Sequence, residues 1–182
     1  MEHHRTPHDY DGLAMTSANG CTHEVQVTTP EGPVRIRVRS AAEGRELAER
    51  VRAAVRGGHD DFADVPLPEG TAFQRACWAA CRTIPRGQTR TYAWLAAAAG
   101  RPGAARAAGQ AMRRNPMPVV VPCHRVVGSG AWIGGYSGSA AAEGPSIQLK
   151  RWLLNSERNP ADVTSPSRRA RRPSTPATES NA

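Results

Sequence analysis

The chain has 182 residues, is 39% hydrophobic and carries a net charge of +8; this suffices for one sizeable domain or a small one beside a medium one, and no run is long and apolar enough for a membrane-spanning helix. Four cysteines (Cys21, Cys77, Cys81, Cys123) do not make a disulfide framework in a chain of this length, and no secretory signal is visible, so a reducing, cytoplasmic setting is expected. Residues 1–69 hold 8 Arg and 12 acids, whereas residues 70–142 hold 9 Arg and no Asp or Glu, which excludes an ordinary solvated surface there and points to a polyanionic partner.

Residues 1–21 lack periodicity and read as a flexible leader. Glu24–Thr28 and Val34–Arg39 alternate apolar and polar residues around Pro30-Glu31-Gly32, the pattern of a β-hairpin. Gly44–Arg56 places Leu47, Val51 and Val55 at helical spacing. Gly57-Gly58-His59-Asp60-Asp61 and Pro66-Leu67-Pro68-Glu69-Gly70 bracket a linker, at which the charge balance also changes. A small α/β domain with its linker therefore spans residues 22–69. Cys21 and His23 are too few and too close for a zinc site, and no metal is expected.

From residue 70 to 157 the chain reads mostly helical. Thr71 caps a helix to about Arg82 that buries Phe73, Cys77, Trp78 and Cys81. Ile84-Pro85-Arg86-Gly87 is a turn. Thr91 caps Tyr92–Ala99, which stops at Gly100. Pro102 suits the first turn of Gly103–Arg113, and Asn115-Pro116 ends that helix. Two helices joined by a tight glycine turn match a helix-turn-helix. The small residues of the second would let its backbone approach a groove wall, with Arg106 the one long side chain in its middle.

Val119-Val120-Val121 reads as a short buried strand that stops at Pro122 and delivers Cys123-His124-Arg125. A thiol beside imidazole and guanidinium suits a low-pKa nucleophile; the same run also fits a small buried structural cysteine. Gly128–Ser139 is a glycine- and serine-rich loop with Trp132 and Tyr136. Pro145 opens a last helix with Ile147, Leu149, Leu153 and Leu154 on its apolar side. Residues 158–182, rich in Arg, Pro, Ser and Thr, form a disordered basic tail.

Several blocks together resemble the O6-alkylguanine-DNA alkyltransferases, or methylated-DNA–protein-cysteine methyltransferases. They are Thr71-Ala72-Phe73-Gln74, Ile84-Pro85-Arg86-Gly87, Thr91-Tyr92-Ala93-Trp94-Leu95-Ala96, Ala105-Arg106-Ala107-Ala108-Gly109, Asn115-Pro116, Pro122-Cys123-His124-Arg125-Val126-Val127 and Gly135-Tyr136-Ser137-Gly138. The resemblance implies an α+β fold: a small, degenerate ribonuclease H-like N-terminal domain, then a mostly helical, winged-helix-like DNA-binding domain with a helix-turn-helix. It implies direct reversal of O6-alkylguanine, and of O4-alkylthymine, by irreversible transfer of the alkyl group to Cys123, without a cofactor and once per molecule. The base must leave the stack to reach the thiol. The implied partner is double-stranded DNA carrying alkylated guanine, bound by a monomer, with cooperativity on DNA left open.

Carried over residue by residue, the resemblance makes Cys123 the acceptor. His124 acts on it through a water and is oriented by Glu157. Tyr92, Arg106, Ala107, Gly109, Arg113 and Arg125 serve DNA binding and base flipping. Arg106 is the intercalating finger, and the helix Gly103–Arg113 lies in the minor groove. Asn115, Pro118, Val126, Tyr136 and Ser137 form the substrate pocket, with Asn115 as the hinge. Tyr136-Ser137-Gly138-Ser139 departs from the family's Tyr-x-Gly-Gly, and Ala140–Leu149 reads as an insertion close to the pocket. A non-transferring lesion binder would lack Cys123. A plain helix-turn-helix protein would not need Pro122-Cys123-His124-Arg125, and an acid-free arginine domain does not suit a Cys-His hydrolase of soluble esters or amides.

Overall fold

The computed structural model describes residues 14–18, 22–130, 133–136 and 144–158. It opens with an antiparallel sheet of β1 (Ala14–Ala18), β2 (Thr22–Thr29) and β3 (Gly32–Val38), in that order. The alternation seen in the sequence sets the register: Val25 pairs with Ile36 and Val27 with Val34, so all four side chains share one buried face. Thr29 pairs with Gly32 across Pro30-Glu31, and Gly32 supplies the positive φ of +120° at the turn. The flexible leader expected over residues 1–21 is corrected at Ala14–Ala18, which pairs with Thr22–Gln26. Its short run of small and polar residues has little apolar periodicity, and pairing with β2 supplies the order that local propensity lacks.

Helix α1 (Ala41–Val55) starts three residues before the expected Gly44, because Ser40 accepts from Glu43 N and caps it. Leu47, Ala48, Val51 and Val55 are buried on the face that packs on β2. The linker is tied down. Arg50 forks between Asp60 and Asp64 at 2.7–2.9 Å, and Arg82 donates to the Phe62 and Val65 carbonyls. Buried residues on both sides of the linker join one continuous core, from Val25 through Trp78 to Leu153.

Helix α2 (Ala72–Arg82) has the full reciprocal capping box between Thr71 and Gln74. Its Trp78 donates from Nε1 to the Ala111 carbonyl at 3.0 Å. Phe73, expected to be buried here, is only partly so and lies under the Arg101 guanidinium. β4 (Arg90–Thr91) leads into α3 (Tyr92–Ala98), capped by Thr91 as expected. Helix α4 covers Ala105–Arg113, later than the expected start at Gly103, because Gly103 has φ +85° and belongs to the turn. Beyond it, a 3-10 turn (Cys123–Arg125) runs into β5 (Val126–Val127), and α5 (Pro145–Arg158) closes the chain's described part. The second half of the expected insertion is thus the start of α5, with Ile147 and Leu149 buried. Among the described residues no helix is long and apolar enough to cross a membrane. Trp132, Ser137, Ala140–Glu143, Cys21 and the expected tail from residue 159 lie outside the described residues.

Candidate active site

The apolar run before the cysteine is a tight turn, which corrects the expected strand. Val119 sits at φ +72°, a conformation that costs a β-branched residue on the order of 1–3 kcal/mol. Asn115 holds the turn together. Its Nδ2 donates to Val121 O at 2.9 Å and its Oδ1 accepts from Met117 N at 3.0 Å. The Val121 carbonyl also accepts from Cys123 N at 2.7 Å. One asparagine therefore fixes the carbonyl that orients the cysteine backbone.

The parallel pairing of β4 with β5 matches Arg90 with Val126 and Thr91 with Val127. This sets the start of α3, and hence Tyr92, beside the segment that leaves the cysteine. Two glycines make room for Tyr92. A side chain at Gly109 would meet its ring at 3.8 Å, and one at Gly134, which has φ +78°, would come within 2.9 Å of its hydroxyl. Gly109 therefore packs on Tyr92. Val126 and Tyr136 are buried, and Pro118 is half-buried. Arg106, Ala107, Gln110 and Arg113 lie exposed on α4, and Arg114 just past its end is exposed as well.

Cys123 is 7% exposed and His124 is 1% exposed. His124 donates from Nε2 to Glu157 Oε1 at 2.8 Å. An ionised carboxylate only accepts, so this bond fixes the tautomer and leaves the Nδ1 lone pair available. Nδ1 is buried without a protein partner. Burial lowers the His124 pKa despite Glu157 beside it. Burial alone would raise Glu157, but hydrogen bonds and charge from His124 and Arg125 outweigh this and hold it far below the usual carboxylate range.

Arg125, expected on the DNA face, points inward. Its Nε and Nη2 donate to the Glu157 carboxylate at 2.7–3.1 Å, and its Nη1 donates to Ile84 O at 2.7 Å. The guanidinium anchors the carboxylate that holds His124, which takes it away from phosphate. Gly87 N completes the carboxylate's shell at 3.1 Å. The low thiol pKa expected from neighbouring cations is also corrected: burial raises the Cys123 pKa, against the lowering by the Asn115 hydrogen bond and the Lys150 charge. The resting thiol is protonated near neutral pH.

Sequence reasoning missed Lys150. The chain's one lysine is fully buried and donates from Nζ to Val126 O at 2.6 Å and Gly135 O at 3.3 Å. It also lies 5.9 Å from the Tyr92 ring centre. Burial lowers its pKa to about 8, and burial pushes the Tyr92 phenol up to about 12. The one available signal was a lysine on the same helical face as Leu153 and Leu154.

Residues 72–159 match the family model described as the 6-O-methylguanine DNA methyltransferase, DNA binding domain. The chain is similar to a methylated-DNA–protein-cysteine methyltransferase of Methanosarcina barkeri, 40% identical over 63% of this chain and 68% of that protein. It is also similar to a constitutive enzyme of that name from Bacillus subtilis, 47% identical over 62% of this chain and 65% of that protein. Among solved structures, Mycobacterium tuberculosis OGT in complex with DNA superposes with a TM-score of 0.60 at 33% identity, covering 74% of this chain and 92% of that one. The Cys123–His124–Glu157 geometry, the Asn115-bound turn and these similarities together place the chain in the methylated-DNA–protein-cysteine methyltransferase family.

Proposed function

We propose that this protein repairs DNA by transferring the alkyl group of O6-alkylguanine, and of O4-alkylthymine, irreversibly to Cys123. The observation that carries the reading is the buried Glu157–His124 pair beside a buried thiol. His124 Nδ1 takes the Cys123 proton through one water, and Glu157 stabilises the imidazolium that forms. The sulfur attacks the alkyl carbon, the S–C bond forms, and the C–O6 bond breaks as O6 becomes a carbonyl. The Tyr92 phenol, kept protonated by burial, donates to the guanine ring as negative charge develops there. The thioether has no easy leaving group, so each molecule acts once.

Duplex DNA carrying the alkylated base is the partner. The exposed face of α4, with Arg106, Ala107 and Arg113, and Arg114 just past its end, supports minor-groove docking, and Gly109 lets Tyr92 seat against the same helix. Arg106 fills the space left by the flipped base. Helices α3 and α4 act as a helix-turn-helix within a winged-helix-like unit spanning about residues 70–157. The β2–β3 hairpin followed by α1 supports a shortened ribonuclease H-like unit over residues 22–69, with β1 added ahead of it as a third strand. Pro118, Val126 and Tyr136 wall the alkyl pocket.

Intact mass after incubation with a duplex containing one O6-methylguanine tests the reading. One added methyl on Cys123, absent in Cys123→Ala, is the expected result. Stoichiometric lesion removal by Cys123→Ala would refute the mechanism.

A further inference from the structure

The N-terminal sheet reaches the acceptor loop through a hydrogen bond: the backbone N–H of Arg37 on β3 donates to the Pro116 carbonyl at 2.9 Å. β3 is an edge strand of the sheet, and its Arg37 N–H is turned out toward Pro116. The Arg37 N–H therefore points away from β2, and the Arg37 side chain is exposed. Pro116 lies between Asn115, which binds Val121 O, and the turn that carries Val119 at φ +72°. A strained turn persists only where its surroundings over-determine it. Packing does not do this alone, since a cleft lined by His59, Phe62, Arg86, Val119 and Pro122 lies along the back of the loop. On the far side of that cleft, Arg86 donates to Ala54 O and Gly58 O at the end of α1 and to Ser156 O beside Glu157.

We infer that the β3 edge positions the acceptor cysteine: the Arg37 N–H clamps the Asn115 turn and so sets the rate of alkyl transfer while leaving DNA affinity untouched. This rests on the transfer reaction proposed above and assigns a positioning role to a backbone group outside the DNA-binding unit. Releasing Pro116 O lets the strained turn relax. Asn115 then loses its hold on Val121 O, which orients the cysteine backbone, and the thiol drifts from its attack position. Misplacement of about 1 Å is enough to cost some hundredfold in rate.

The test compares Arg37→Pro, which removes the N–H, with Arg37→Ala, which keeps it. Because the Arg37 N–H makes no ladder bond to β2, proline there removes the contact to Pro116 without breaking a ladder bond. Single-turnover transfer at saturating O6-methylguanine duplex is measured, together with Kd for that duplex in a Cys123→Ala background. Peptide-resolved iodoacetamide labelling of Cys123 against pH needs no DNA. Arg37→Ala is expected within twofold of wild type in all three. Arg37→Pro is expected to transfer at least tenfold more slowly, with Kd within twofold and the labelling midpoint of Cys123 moved to higher pH. Wild-type rate and labelling in a folded Arg37→Pro protein would overturn the inference, as would equal losses in both variants. Should Arg37→Pro fail to fold, replacement of residue 37 by its α-hydroxy acid, which exchanges the N–H for an ester oxygen, must show the same slow transfer and shifted labelling. A wild-type protein that transfers nothing would refute the proposed reaction instead, and the labelling shift still reports on the clamp.

Discussion

Glu157→Gln isolates the carboxylate on which the site is built. The side chain is 6% exposed and accepts from His124, Arg125 and Gly87 N. Glutamine keeps the volume but leaves the Arg125 guanidinium, 14% exposed, beside a neutral amide. Breaking a buried pair from one side costs about 3–5 kcal/mol, and the near-isosteric amide should keep part of the bonding, so a loss of about 2–4 kcal/mol is expected. Chemistry suffers separately. Without the carboxylate the His124 imidazolium is not stabilised, and positioned general-base catalysis contributes typically about 100- to 10,000-fold; single-turnover transfer should fall about 100-fold or more.

The pH dependence gives an independent check. The folded pKa of Glu157 is depressed, so its stabilisation is present above the unfolded carboxylate value of about 4.3 and is lost as pH falls through the folded one. Below about pH 4.3 the wild type should therefore lose about 1.4 kcal/mol per pH unit relative to Glu157→Gln. Urea unfolding at pH 7, 4 and 3 with quench-flow transfer at pH 7 measures both effects. Transfer within threefold of wild type, or a stability difference that does not narrow in acid, would refute this account of the site.

Arg106→Ala should weaken binding to undamaged duplex only two- to threefold while slowing transfer from duplex far more; equal losses would make Arg106 a phosphate contact only. Lys150→Met should abolish a rise in wild-type stability between about pH 8 and the unfolded lysine value near 10.4. In that window the unfolded chain holds a proton that the buried amine has released, so folding gains about 1–3 kcal/mol as pH rises; a wild-type curve parallel to the variant's would contradict the burial of Lys150. Because His124 is lowered and Cys123 is raised, the transfer rate should be flat between about pH 6.5 and 8.5, the unperturbed His and Cys values. A limb titrating inside that window in a pH–rate profile would show that one of the two groups is less buried.

Local chemistry was legible wherever one residue type decides the outcome. Thr71 and Thr91 cap their helices, Gly100 ends α3, and the alternation of Val25, Val27, Val34 and Ile36 sets a hairpin face. The order of Pro122-Cys123-His124-Arg125 after Tyr92 and Arg106 was enough to identify the family and to choose Glu157 as the partner of His124, although that pair spans 33 residues. The sequence by itself thus determined which side chains gather at the candidate site and the positive charge of the segment that carries it, because these depend on side-chain type and short-range spacing. Only the tertiary structure decided what each charge faces. Arg125 turns inward because Glu157 and Ile84 O satisfy it. Lys150 is buried because Val126 and Gly135 present carbonyls to it. The thiol rests protonated because desolvation exceeds the pull of the cations around it. Val119–Val121 is a turn despite its β-branched run because Asn115, with Arg37 behind it, holds a backbone shape that local propensity opposes. Each of these turns on a partner distant in sequence, whose position is set by packing of the whole core.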